Sequence, residues 1–310
     1  MDDSTTGAAN RVSSATSGMT GGAPPRSEAA LDEPFFDLLK ERLRQVDIDG
    51  TRFWRAESDY LLDEDELFVY SQQRSAAHAL QQAKVLAERS RFGSYTAPGL
   101  ETLDAQERGL VGIVRGGRIV RWKPGTILTY CVLRKTFPQQ AQYDDIATRM
   151  AQATADWEAT CGVSFEHAVA ADESDDVRPA GVVFPVRHIE AGGAFIAAAF
   201  FPQDPPSRRR VLIDPSYFTQ RTFDRTGVLR HELGHVLGFR HEHIRSGAPP
   251  VCPDEDLGGV LDLTQYDPQS VMHYFCGGVG SPQLAITALD RTGSQSLYGP
   301  PFDNFHDITP

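Results

Sequence analysis

The run His231-Glu232-Leu233-Gly234-His235-Val236-Leu237-Gly238-Phe239-Arg240-His241 leaves the chain few ways to fold. Two histidines four residues apart lie one helical turn apart on one face, so both imidazoles can reach a single ion. Glu232 sits beside the first of them, where its carboxylate can act on a metal-bound water without itself binding the metal. Gly238 lacks a Cβ and can take the backbone turn that ends the helix. The chain then folds back and delivers His241 as a third ligand. Three histidines leave one tetrahedral position for water, the ligand count of a catalytic rather than a structural zinc. A histidine pair at this spacing is common on helices and usually means nothing. Glu232, Gly238 and His241 at fixed offsets make chance improbable.

The same eleven residues fit the metzincin pattern H-E-x-x-H-x-x-G-x-x-H, and the flanking residues narrow the resemblance. Gly238-Phe239-Arg240-His241-Glu242 resembles the G-F-x-H-E of astacins. Ser270-Val271-Met272-His273-Tyr274 resembles their Met-turn, S-x-M-H-Y. Trp122 to Ile127 is similar to the start of the mature astacin domain, and Thr160 to Phe165 to the end of its first helix. Bacterial matrixin-like proteases share the first motif. The resemblance implies a zinc endopeptidase with an α+β zincin fold: a twisted, mixed five-stranded sheet, an active-site helix, a Met-turn and a closing helix. It implies zinc ligation by His231, His235 and His241, with Tyr274 as a fifth, displaceable ligand that then supports the reacting carbonyl. It also implies Glu232 as general base and Met272 as the packed floor beneath the metal. Glu242 would pair with a new N-terminus once a prosegment is removed, or simply cap its loop.

Composition narrows the partners. The formal net charge of -12 argues against nucleic acid or an anionic membrane as the main partner, since both need a basic face; the resemblance implies a protein or peptide substrate. No apolar run reaches the roughly 20 residues that span a bilayer. No basic segment followed by an apolar core stands at the N-terminus, so the expectation is a cytoplasmic protein or one exported without a signal peptide. A monomer is expected. The four cysteines, Cys131, Cys161, Cys252 and Cys276, allow three pairings. Cys252 and Cys276 flank the Met-turn and could staple it. Cys161 matches a position that is disulfide-bonded in astacins. Four buried thiols are the alternative.

Three regions are expected. Residues 1–30, rich in Ser, Thr, Gly and Ala, cannot bury a core and should be disordered. Residues 31–117 form a helical, prosegment-like region and linker, and residues 118–310 the catalytic domain. Phe35, Phe36, Leu39, Leu43 and Val46 recur at helical spacing, and Thr51 to Ala56 is strand-like. A long helix is expected from Glu64 to about Arg91. Residues 92–117 carry scattered Gly and Pro and look like a linker, one that could be cleaved.

From Thr126 the pattern turns α+β. Strands are expected at 126–133, 163–169, 181–188, 194–201, 210–214 and 284–287. Helices are expected at 144–160, from the Asp224 or Thr226 cap to about Phe239, and at 288–298. The apolar 194–201 segment is a candidate to pair with extended substrate. A core strand is the plainer reading.

Ala56-Glu57-Ser58-Asp59 resembles the F-x-G-D of astacin prosegments, with the aspartate kept and the aromatic and glycine lost. By that resemblance Asp59 would bind the zinc, displace its water and hold the enzyme latent. Without it, Asp59 is a solvated acid among acids. A cysteine latch is impossible, since Cys131 is the first cysteine. Two other functions stay open: a zincin-scaffold binding protein without turnover, and a self-processing effector protease with one dedicated target.

Overall fold

A computed structural model describes residues 33–56, 59–72, 110–115, 118–245, 248–252 and 260–302. The disorder expected for 1–30, most of the helix expected to Arg91 and most of the 92–117 linker lie outside these residues.

The core forms around two helices and one sheet. Strands β6 (Ile127–Val132), β7 (Ser164–His167), β8 (Phe184–His188), β9 (Ala197–Ala198) and β10 (Val211–Ile213) make a five-stranded sheet in the order β7-β6-β8-β10-β9. Four strands run parallel, and β9 closes one edge antiparallel to β10. Helix α3 (Gln140–Glu158) buries Ile146, Met150, Ala153 and Trp157 at the helical period, against helix α5 (Arg225–Val236), which the short helix α4 (Ser216–Thr219) precedes in the chain. Their side chains join Val132, Phe184, Val186 and Val211 in one continuous cluster. The fold is the mixed α+β architecture expected of a metzincin. The apolar 194–201 segment narrows to two paired residues, and 284–287 is no strand, because Leu284 takes a left-handed φ of 44°.

The N-terminal segment departs from its helical expectation. Helix α1 (Glu33–Arg42) ends before Val46, which instead lies in β1 (Arg44–Ile48), paired antiparallel with β2 (Thr51–Arg55). The reason is the Asp49-Gly50 pair between them. Both residues sit at positive φ, 50° and 74°, the tight turn whose twist matches a hairpin. Strand β3 (Leu61–Leu62) adds to β2, and a helix, α2, follows from residue 64, described to 72. Val46, Ile48, Phe53 and Leu61 pack on Ala194, Phe195, Ala198 and Leu212 at the β9–β10 edge of the large sheet.

Residues 111–115 are likewise strand rather than linker. Strand β4 (Val111–Arg115) pairs with β5 (Arg118–Ile119), with β12 (Val260–Asp262) and with β11 (Phe239–Arg240). The zinc-motif helix therefore stops at Val236 rather than Phe239, and the chain turns through Gly238, at φ 96°, into a strand. Pairing of Phe239 with Gly112 and of Arg240 with Val111 fixes the register just ahead of His241.

Candidate metal centre

Helix α5 is positioned at both ends. Asp224 caps it by accepting from the Gly227 amide at 2.7 Å. At the other end, backbone carbonyls without a helical partner accept from side chains: Val236 from the Trp122 indole at 2.7 Å and Leu237 from the Tyr298 hydroxyl at 2.6 Å. Gly234 has no room for a side chain, since a Cβ there would overlap the Met272 sulfur. The helix thus lies directly on the turn containing Met272, which is fully buried.

That turn is held by a helix that follows it in sequence. Asp290, on α6 (Ala288–Tyr298), accepts from the Ser270 hydroxyl at 2.5 Å and the Val271 amide at 2.8 Å. It also closes a capping box with Thr287. Asp267 accepts from the Thr287 hydroxyl at 2.6 Å. The functional assignment made from sequence passes over Asp267 and Asp290. The signal was the Thr287-x-x-Asp290 spacing, which marks a helix start but not what else the acid holds.

The imidazoles converge. His231 donates from Nδ1 to the Val271 carbonyl at 2.8 Å, and His235 from Nδ1 to the Phe239 carbonyl at 2.8 Å. Each bond uses the ring's N–H and turns the Nε2 lone pair inward. His235 Nε2 lies 3.1 Å from His241 Nε2. The Asp59 carboxylate completes the group, with Oδ2 at 3.2 Å from His231 Nε2 and 3.7 Å from His235 Nε2, and Oδ1 at 3.1 Å from His241 Nε2. All four residues are buried, and their ligand atoms lie within 4.8 Å of one another. Tyr274 donates its hydroxyl to Asp59 Oδ1 at 3.1 Å.

Lone pairs of neutral rings facing a carboxylate at such distances repel unless a cation sits among them. Burial drives His235 down to about 4, so it is neutral at ordinary pH. The separations suit zinc: bonds of about 2.0–2.1 Å in a tetrahedron give ligand–ligand edges of about 3.3–3.4 Å. Burial alone would raise the Asp59 carboxyl, but positive charge held among the imidazoles outweighs it and keeps the carboxyl well below its ordinary range. Burial, and then the neighbouring Asp59 charge, push Glu232 well above its own. Glu232 Oε2 is buried with no hydrogen-bond partner, and the residue lines the same cavity as Asp59.

That cavity, of about 470 Å³, is walled by Glu232 and Tyr274 and by apolar Ile196, Phe223, Val228 and Leu284. Strand β9 lines it too. The segment carrying Asp59 is anchored on both sides: the Arg55 guanidinium donates to the Ala194 carbonyl, and Arg208 donates to the Leu61 carbonyl at 3.0 Å. The Tyr60 ring meets Phe201 edge-on at 4.9 Å.

Cys252 and Cys276 form a disulfide, while Cys131 and Cys161 are free and buried. Cys161 therefore does not share the bonded state of its astacin counterpart. Glu242 is fully buried and accepts from the Asp267 amide at 2.9 Å, with Arg245 at 3.4 Å.

A helix carrying two inward histidines, a third after a glycine turn and a methionine floor define a metzincin-like zinc metalloendopeptidase. Within the chain, residues 121–248 match the family model for matrixin. Among solved structures the chain is similar to myroilysin, at 15% identity and a TM-score of 0.44, over 60% of this chain and 98% of that one. It is also similar to high choriolytic enzyme 1, a hatching enzyme zinc-protease from Oryzias latipes (medaka fish), at 16% identity and a TM-score of 0.37, over 58% of this chain and 94% of that one. No curated protein gives a significant sequence match. Among the described residues no helix is long and apolar enough to cross a membrane.

Proposed function

We propose that the protein is a zinc endopeptidase made as a latent precursor, with the residues before Leu110 as its prosegment, since Leu110 and strand β4 are built into the body that carries His241, and that Asp59 is the latch. One observation carries the reading: an acid from the N-terminal segment meets three histidines in one buried cluster, their ligand atoms within 4.8 Å of one another, while Glu232 Oε2 stands without a partner beside it. His231, His235 and His241 would hold the ion. Zinc bound there supplies a Lewis acid that brings the pKa of water from about 15.7 towards 7.

The chain's own residues do the rest. Asp59 takes the position water needs, so the docked segment removes the nucleophile. Once the segment leaves, Glu232 can accept a proton from water and return it to the departing amine. Its raised affinity for a proton suits that shuttle. Tyr274, released from Asp59, can turn its hydroxyl to the substrate carbonyl, where a well-placed donor is worth about 3 kcal/mol. The edge of Ala197–Ala198 that pairs with no strand among the described residues offers backbone groups to an extended peptide, and the apolar cavity beside Glu232 accepts one of its apolar side chains.

The test compares casein cleavage by the zinc-loaded full chain, by Asp59→Ala and by Asp59→Ala/Glu232→Gln. Asp59→Ala should cleave much faster than the parent, and the double variant should fall by about 10²–10⁴-fold. Cleavage indifferent to Glu232 would remove the base; a parent as fast as Asp59→Ala from the first minute would remove the latch.

A further inference from the structure

A second cavity, of about 340 Å³, lies between the N-terminal hairpin and the large sheet, away from the histidines. Five arginines line it, Arg178, Arg187, Arg208, Arg209 and Arg210, against two acids, Asp49 and Asp63. This is a surplus of positive charge in a chain whose net charge is -12.

The acids satisfy only part of the cluster. Asp49 takes both terminal nitrogens of Arg187, at 3.0 and 2.5 Å. Arg208 is shared among Asp63 at 3.9 Å, Asp204 at 3.8 Å and Glu66. Arg209 donates to the Asp204 carbonyl at 3.0 Å. Arg210 has no hydrogen bond or ion pair among the described residues; its guanidinium only rests on the Phe53 ring, 4.9 Å away. The Nε atoms of Arg187 and Arg208 are buried with no hydrogen-bond partner. Burial, and then the charges of Arg187 and Arg208, push Arg210 down to about 10. Like charges gathered in a half-enclosed space with unused donors call for an anion. Planar guanidiniums suit tetrahedral oxyanions, which can accept from several forks at once.

We propose that this cavity binds a phosphate-bearing small molecule, held by Arg187, Arg208 and Arg210 on the sheet side and facing Thr51 and Phe53 of the hairpin. Its volume admits more than one phosphate group or a phosphorylated small metabolite. Because one wall is the N-terminal hairpin, an occupant ties that hairpin to the sheet by mass action. The binding itself does not depend on zinc or on catalysis.

The test is a titration of the zinc-loaded full chain with inorganic phosphate, followed by ³¹P line width at constant ionic strength set with potassium chloride. Saturable broadening is expected for the parent. Arg210→Gln should weaken it by at least about tenfold, the loss of one charge-assisted contact. Asp49→Asn removes a competing carboxylate from Arg187 and should tighten binding. Sulfate should compete, since it shares the geometry. No broadening in the parent overturns the site. Broadening unchanged in both variants places the phosphate elsewhere and overturns it equally. If Arg210→Gln does not fold, judged by circular dichroism, the Asp49→Asn titration decides alone.

Discussion

At the scale of single residues, the site depends on what Gly234 lacks. Any Cβ there must displace the Met272 sulfur, and the Trp157 ring closes the same space. Gly234→Ala should cost about 1–3 kcal/mol, the usual penalty of overpacking a tight core. Thermal unfolding would show it, and zinc affinity should fall with it because α5 is pushed off its floor. The free cysteines make a second test. Burial raises both thiols to about 12, so neither is a thiolate at ordinary pH. An alkylating reagent should label none in the native protein and Cys131 and Cys161 in denaturant; labelling of all four without reductant would contradict the Cys252–Cys276 bond. The three histidines were legible in the sequence because helical spacing and one glycine determine where they point. That Asp59 meets them was not: the match rests on four letters, two of them departed from, and the approach depends on tertiary anchors at Arg55 and Tyr60 that leave no periodic trace.

At the scale of elements, the Met-turn is held from outside itself. Asp290 gathers the Ser270 hydroxyl and the Val271 and Thr287 amides with one buried carboxylate. Asp290→Ala would strand these groups, at about 1–3 kcal/mol for each donor left unsatisfied. We expect unfolding at markedly lower temperature and weaker zinc retention, since Val271 also orients His231. Helix α6 was readable from its cap and period, as were α3 and the parallel strands, whose apolar runs match buried strands. What misled was local. Leu43 and Val46 fit a helical period, but the Asp49-Gly50 turn imposes a hairpin. Residues 111–115 sit beside a Gly-rich stretch, yet apart from 118–119 their partners, 239–240 and 260–262, lie more than a hundred residues away.

At the scale of the whole molecule, the N-terminal segment and the large sheet act on each other's stability, and one buried acid reports on it. Burial raises Asp204 to about 6, against the Phe201 amide that holds it down at 2.8 Å. A raised acid favours the fold when protonated. Its contribution is complete below the unfolded value near 3.8 and is lost as pH climbs through 6. The loss is on the order of 3 kcal/mol by linkage. Asp204→Asn keeps an acceptor for Phe201 and should flatten the stability profile between these pH values; denaturant titrations of both proteins would check this.

The central claim concerns one ion and four side chains, and anomalous X-ray scattering at the zinc edge addresses it directly. Crystals of the zinc-loaded full chain should show a single strong peak bonded to Nε2 of His231, His235 and His241 and to a carboxylate oxygen of Asp59. A peak elsewhere would contradict the metal centre, and a peak at the histidines with Asp59 withdrawn and water in its place would contradict the latch.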